Sequence, residues 1–336
     1  MMIKNVCLPS LLLQALAAFG GCDFGDLCPT TPTDSPPESA ARKPANAANL
    51  DVNPFIGTEN PYLPGSLGVT FIDLDRCEAD APLRLRIHSP TAVGAYPVIV
   101  LQHAFQITNH SYDQIAAHIA SHGFIVVLPR MYDPGIGPII GMPTAALETE
   151  RAAVVVDWIP ARLERLPGIE FNNINIGLAG HSRGGKVAFG VATAGNDRVA
   201  ALVGIDPVDG TGGPGGNQPR VTGEPFAFEI STLIIGAGIA GACAPEGDNY
   251  VQFFEASPSP SKLVVATDYG HGDMLDEETA ALAASVCASN DDREPMRRLT
   301  AGLLVAFFRA QLQDASSGTF QIEPEMLPAA VSIQTK

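Results

Sequence analysis

The chain has no Cys-x-x-Cys pair and no spacing of His, Cys and carboxylates of the kind that ligates a metal, and no motif in it calls for a cofactor. Internal repeats are absent. Positive charge is scarce: 20 Lys and Arg against 36 Asp and Glu leave a net charge of −16. A nucleic-acid backbone would be repelled by that balance, whereas a neutral or hydrophobic substrate would not. Beyond the N-terminus no apolar run is long enough to cross a bilayer. What is present is a chain of 336 residues, 46% hydrophobic and 17% charged. It can bury a sizeable core, as one large α/β domain or two small ones.

The first 22 residues stand apart. Met1 to Val6 holds a single Lys, Leu8 to Phe19 is a short apolar stretch, and Gly20-Gly21-Cys22 follows. This pattern reads as a secretory signal, too short for a spanning helix. Cys22 sits as in a bacterial lipoprotein cleavage box, where acylation would anchor it to a membrane. Phe19 stands where Leu or Val is usual, and the alternative is plain secretory cleavage with Cys22 a thiol. A plastid transit peptide fits less well, because Arg and Ser are scarce here. Residues 23–52, rich in Pro, Thr, Ser and Ala, read as a disordered tether, and residues 53–336 as the folded catalytic domain. In an exported protein the expected disulfides are Cys243 with Cys287 and Cys28 with Cys77, although spacing does not fix connectivity.

Gly68–Asp73 and Leu83–His88 alternate like antiparallel strands, and Tyr96–Leu101 is a continuous apolar run like a strand covered on both faces. A helix over Asp113–His122 stops at Gly123 before the strand Phe124–Pro129. Thr144–Leu166 reads as a long helix with Leu147, Val154, Val155, Trp158 and Leu163 near one face and a kink at Pro160. Strands follow at Val199–Ile205, Thr232–Gly236 and Lys262–Ala266. A closing helix over Pro295–Gln313 spaces Met296, Leu299, Leu303 and Phe307 along one side. Antiparallel strands followed by alternating strands and helices predict a mixed, mostly parallel sheet covered by helices on both faces.

Between the long helix and the Val199 strand lies Gly180-His181-Ser182-Arg183-Gly184, a G-x-S-x-G pattern between an apolar run and a helix-compatible segment. This is the signature of a nucleophile elbow, which presents a serine at the carboxyl edge of an α/β-hydrolase sheet. A side chain at Gly180 or Gly184 would strike the neighbouring strand or helix. The bland reading is an ordinary strand-to-helix turn. In this fold the partners follow in the order serine, acid, histidine. Of seven histidines only His271 lies beyond the elbow, a few residues after the last parallel strand, so it is the expected general base. The loop after Gly236 offers no carboxylate nearby. Asp206 ends the preceding strand and is the expected acid, with Asp209 the second choice; the alternative for either is a turn residue bonding its own backbone. Asp268, Asp273 and Asp276 are expected to orient the His271 loop. The oxyanion donors are expected to be the N–H groups of Arg183 and Phe105, the latter in the loop after the Tyr96 strand. His103 and His181 are expected to pack or support.

Together Ser121-His122-Gly123-Phe124-Ile125, the elbow through Lys186, Gly204-Ile205-Asp206-Pro207-Val208-Asp209-Gly210-Thr211-Gly212, Cys243-Ala244-Pro245, Asp268–Asp276 and Pro295-Met296-Arg297-Arg298 resemble the chlorophyllase family, in its order and across roughly residues 80–312. The resemblance implies an α/β-hydrolase that cuts the phytyl ester of chlorophyll to chlorophyllide and phytol, with catalytic roles on Ser182, Asp206 and His271. His103-Ala104 departs from the family's His-Gly at the oxyanion loop. The N-terminus departs as well, and implies a bacterial exported relative at the cell envelope.

The expected activity is therefore that of a serine carboxylic-ester hydrolase working through an acyl-enzyme on a hydrophobic ester, either chlorophyll or a lipid-like ester. Phe105, Tyr132, Ile136, Ile139, Ile140 and Met142 are expected to line an apolar pocket. One rival reading is an exported esterase, lipase or polyester hydrolase without tetrapyrrole preference. A rival of another class is a surface-anchored binding lipoprotein on an inactive hydrolase scaffold.

Overall fold

A computed structural model describes residues 59–132, 143–163, 166, 169, 171–210, 218–313 and 320–336. Nine strands form one sheet: β1 (Val69–Leu74), β2 (Arg84–Pro90), β3 (Tyr96–Gln102), β4 (Ile125–Arg130), β5 (Phe171–His181), β6 (Val199–Ile205), β7 (Ser231–Ala237), β8 (Ser261–Ala266) and β9 (Val331–Thr335). Their order is β1-β2-β4-β3-β5-β6-β7-β8-β9. The run from β4 to β8 is parallel, while β1, β2 and β9 add antiparallel edges.

Among the described residues there are six α-helices: α1 (Asp113–Ser121), α2 (Ala145–Arg162), α3 (Arg183–Thr193), α4 (Tyr250–Ala256), α5 (Glu277–Ala283) and α6 (Glu294–Phe308). Alternation along the central strands decides which face each helix meets. Val98 and Val100 of β3 pack into a core with α2, α3 and α4, whereas Ile99 and Leu101 pack into a second core with α1 and α6. Every residue of β3 is buried, as its unbroken apolar run requires. This is the α/β-hydrolase architecture expected from the sequence.

Among the described strands and α-helices α4, α5 and β9 went unread, and one face was misjudged. α4 and α5 have seven residues each, too few for a periodic pattern to stand out, although Asn249 and Gln252 do form a capping box for α4. β9 is a largely exposed edge strand whose side chains carry little hydrophobic signal. Val155 and Trp158 of α2 and Leu163 just after it are buried and Leu147 is half-buried, but Val154 is 53% exposed. α2 runs through Pro160 and stops two residues later at Arg162.

Candidate active site

β5 ends at His181, and Ser182 takes φ 54° and ψ −120° before α3 begins at Arg183. A positive φ at a side-chain-bearing residue is strained and persists only where the surroundings hold it. Here the Ser182 N–H donates to the Ile205 carbonyl at 3.0 Å, and the Ser182 carbonyl accepts from Gly185, Lys186 and Val208 at 3.0–3.2 Å. A Cβ on Gly180 would run into the Gly184 backbone, and one on Gly184 into the carbonyl oxygens of Gln102 and His103. The second glycine thus lets the N-terminus of α3 lie against the loop after β3. Arg183 is the first residue of α3, so its N–H is among those that no intrahelical carbonyl can take.

His271 lies in the loop after β8. Its Nδ1 is 2.6 Å from Oδ2 of Asp206, whose other oxygen accepts from the Ala237 N–H at 2.9 Å. Asp206 is fully buried, directly after β6, with φ 38°. The Asp206 contact takes Nδ1, so Nε2 is the His271 nitrogen left for the solvent side. Asp209 faces elsewhere: it pairs with Lys186 at 3.0 Å and accepts from Val221, Thr222 and the Thr222 hydroxyl at 2.6–3.0 Å. Asp273, also fully buried, accepts from the Gly270 and Asn290 N–H groups and the Ser289 hydroxyl, which shapes the loop bearing His271. Asp276 accepts from the Gln114 N–H, and burial pushes its carboxyl up to about 6. Asp268 contributes its carbonyl to Asn290.

The loop after β3 is held by two tyrosines. The Ala104 N–H donates to the Tyr112 oxygen at 3.0 Å and the Gln106 N–H to the Tyr132 oxygen at 2.8 Å. Neither takes the N–H of Phe105 between them. His103 supports the same loop, donating from Nδ1 to the Ala104 carbonyl and accepting at Nε2 from the Met131 N–H; burial lowers its pKa to about 4. The Arg183 guanidinium lies 5.0 Å from the centre of the Phe105 ring, donates to the Pro143 carbonyl, and pairs with buried Glu148 at 3.1 Å. Burial pushes the Glu148 carboxyl up to about 7, with Arg183 pulling the other way. One residue therefore presents its N–H beside Ser182 and clamps the opposite loop with its side chain.

The family model for chlorophyllase matches residues 58–336. The chain is 36% identical over 261 residues to chlorophyllase-2 of Arabidopsis thaliana, covering 71% of this chain and 80% of that one. It is 39% identical over 244 residues to the chloroplastic chlorophyllase-1 of Citrus sinensis, covering 68% and 72%. The chain belongs to the chlorophyllase family. It is a hydrolase of the α/β-hydrolase class. The comparison also corrects the expected bacterial envelope location, since these relatives are plant chlorophyllases and the Citrus protein is named chloroplastic. A short apolar N-terminal run is a compositional signal with little power to distinguish compartments. Among the described residues no helix is long and apolar enough to cross a membrane, and Cys22 lies outside them.

In this chlorophyllase-family chain Ser182 and His271 line a cavity of about 640 Å³, together with Phe105, Ile107, Val208, Leu275, Leu282 and Val286. Of the expected pocket residues, Phe105 lines it. Tyr132 instead lines a separate cavity and supports the Phe105 loop, because its hydroxyl turns to the backbone. Ile136, Ile139, Ile140 and Met142 lie outside the described residues. The apolar wall formed by Leu282 near the end of α5 and by Val286 in the turn after it, 74% and 73% exposed, was missed, because α5 is too short for its periodicity to stand out. The Cys243–Cys287 disulfide joins two wall segments 44 residues apart. Cys77 is also disulfide-bonded, and its expected partner Cys28 lies outside the described residues.

Proposed function

We propose that this protein is a serine carboxylic-ester hydrolase that cleaves the phytyl ester of chlorophyll. The observation that carries the reading is buried Asp206 gripping half-buried His271, which lines one apolar cavity together with strained Ser182. Ser182 Oγ attacks the ester carbonyl while His271 Nε2 takes its proton, and buried Asp206 stabilises the imidazolium. The N–H groups of Arg183 and Phe105 hold the developing oxyanion, a contribution of about 100- to 1,000-fold per donor. Collapse expels phytol, protonated by His271. Water then attacks the acyl-enzyme with His271 as base, and chlorophyllide leaves as a carboxylate.

The substrate class draws support from the family and from the apolar lining. A cavity of this size falls in the range of roughly 300–1,000 Å³ that encloses a drug-sized segment.

The test offers the full chain and its Ser182→Ala variant both chlorophyll a and a short-chain nitrophenyl ester. Chlorophyllide should form with the parent and fall on the order of 10⁴- to 10⁶-fold in the variant. Turnover of the nitrophenyl ester alone would keep the mechanism and discard the tetrapyrrole substrate. A folded parent silent on both would point to a binding role on a hydrolase scaffold.

A further inference from the structure

His181 does chemistry-free work that the proposed mechanism leaves unused. It is the last residue of β5, pairs with Ile205 of β6, and so adjoins Ser182 in the chain and Asp206 through the sheet. Its side chain is buried, 1% exposed by residue, against the rings of His271 at 4.7 Å and Tyr112 at 5.9 Å. His181 Nε2 is 3.0 Å from the His271 main-chain oxygen, and His181 Nδ1 is 2.8 Å from the Tyr112 hydroxyl.

The proton positions follow from donor and acceptor capacity. A carbonyl only accepts, so Nε2 carries the hydrogen. Burial lowers the His181 pKa well below the ordinary imidazole value, so the ring is neutral and Nδ1 accepts. The Tyr112 O–H therefore donates to Nδ1, and its oxygen accepts the Ala104 N–H. A second proton on the ring would leave the Tyr112 hydroxyl facing another donor with its own hydrogen displaced.

We infer that His181 and Tyr112 are positioning residues that fix the His271 backbone and the Phe105 loop to the strand carrying Ser182. Asp206 holds the His271 ring, whereas His181 holds its main chain, so the base is gripped at two points. The same imidazole reaches through Tyr112 to the residue before Phe105. One neutral ring thus ties nucleophile, base and oxyanion donor into a single spacing, and a misplacement of about 1 Å in such a set can cost on the order of 100-fold in rate.

This inference rests on the proposed roles of Ser182 and His271, so its test begins with the parent. A fluorophosphonate should label the full chain at Ser182. His181→Leu and Tyr112→Phe would then be compared with the parent in nitrophenyl-ester kinetics and thermal melting. Expected are folded variants with kcat reduced roughly 10- to 100-fold for His181→Leu and about tenfold for Tyr112→Phe, and KM within about twofold. Should His181→Leu not fold, Tyr112→Phe, which removes only a hydroxyl, decides. Unchanged kcat in a folded variant overturns the inference while a labelled parent keeps the catalytic reading. A raised KM at constant kcat also overturns it, because that places His181 on the substrate. A folded parent that does not label removes both.

Discussion

At the carboxyl end of β6 two aspartates lie three residues apart, both fully buried, with different neighbours. Asp206 gives one oxygen to the Ala237 N–H and the other to His271, an imidazole that borders the cavity. Asp209 is enclosed by Lys186 and by N–H and O–H donors from Val221 and Thr222. The first carboxylate has one side-chain partner, the imidazole at the cavity wall. The second is saturated by a cation and backbone donors that fasten the residues around 220 to α3. Equal burial therefore says little about role; the partners do.

Exchange of each carboxylate for its amide is the sharpest way to break this contrast. Asp206→Asn should lower kcat on the order of 10⁴-fold with little change in melting, because an amide N–H facing Nδ1 imposes the wrong His271 tautomer. Steady-state kinetics alongside a melting curve check it; retained activity would remove Asp206 from the mechanism. Asp209→Asn should do the reverse. It leaves Lys186 buried without its counter-charge, which costs roughly 3–5 kcal/mol in urea unfolding, while kcat per folded molecule stays within about threefold. A rate collapse without loss of stability would make Asp209 the acid.

A third buried carboxylate sharpens the comparison with a smaller effect. Glu148 is raised to about 7 by burial despite Arg183. Between its unfolded-chain pKa of about 4.3 and this value the folded protein holds a proton that the unfolded chain has released. Stability therefore falls as pH rises through that window and levels off above it. Glu148→Gln should remove this slope, on the order of 1–3 kcal/mol, in urea titrations at several pH values. An unaltered slope would show that the Arg183 pair keeps Glu148 charged throughout.

Much of this molecule could be read along the chain. The apolar run of β3, the alternation of β1 and β2 and the G-x-S-x-G turn are local patterns, set by side-chain periodicity and by the need for small residues at a tight crossing. Serine–acid–histidine order narrowed the expected base to His271 because no other histidine lies beyond the elbow. Position at the strand end ranked Asp206 ahead of Asp209, but only the partners separate the two, since both lie in one turn with similar local chemistry. Chain order could not show that His181 meets Tyr112 69 residues away and the His271 carbonyl 90 residues away. α5 was too short to announce itself, and its part in the cavity wall depends on the disulfide and on where the His271 loop lands. Periodicity and turn chemistry act over a few residues, so they are written in the sequence. Which buried polar group finds which partner depends on where the parallel strands end side by side, and that is settled only when the sheet closes.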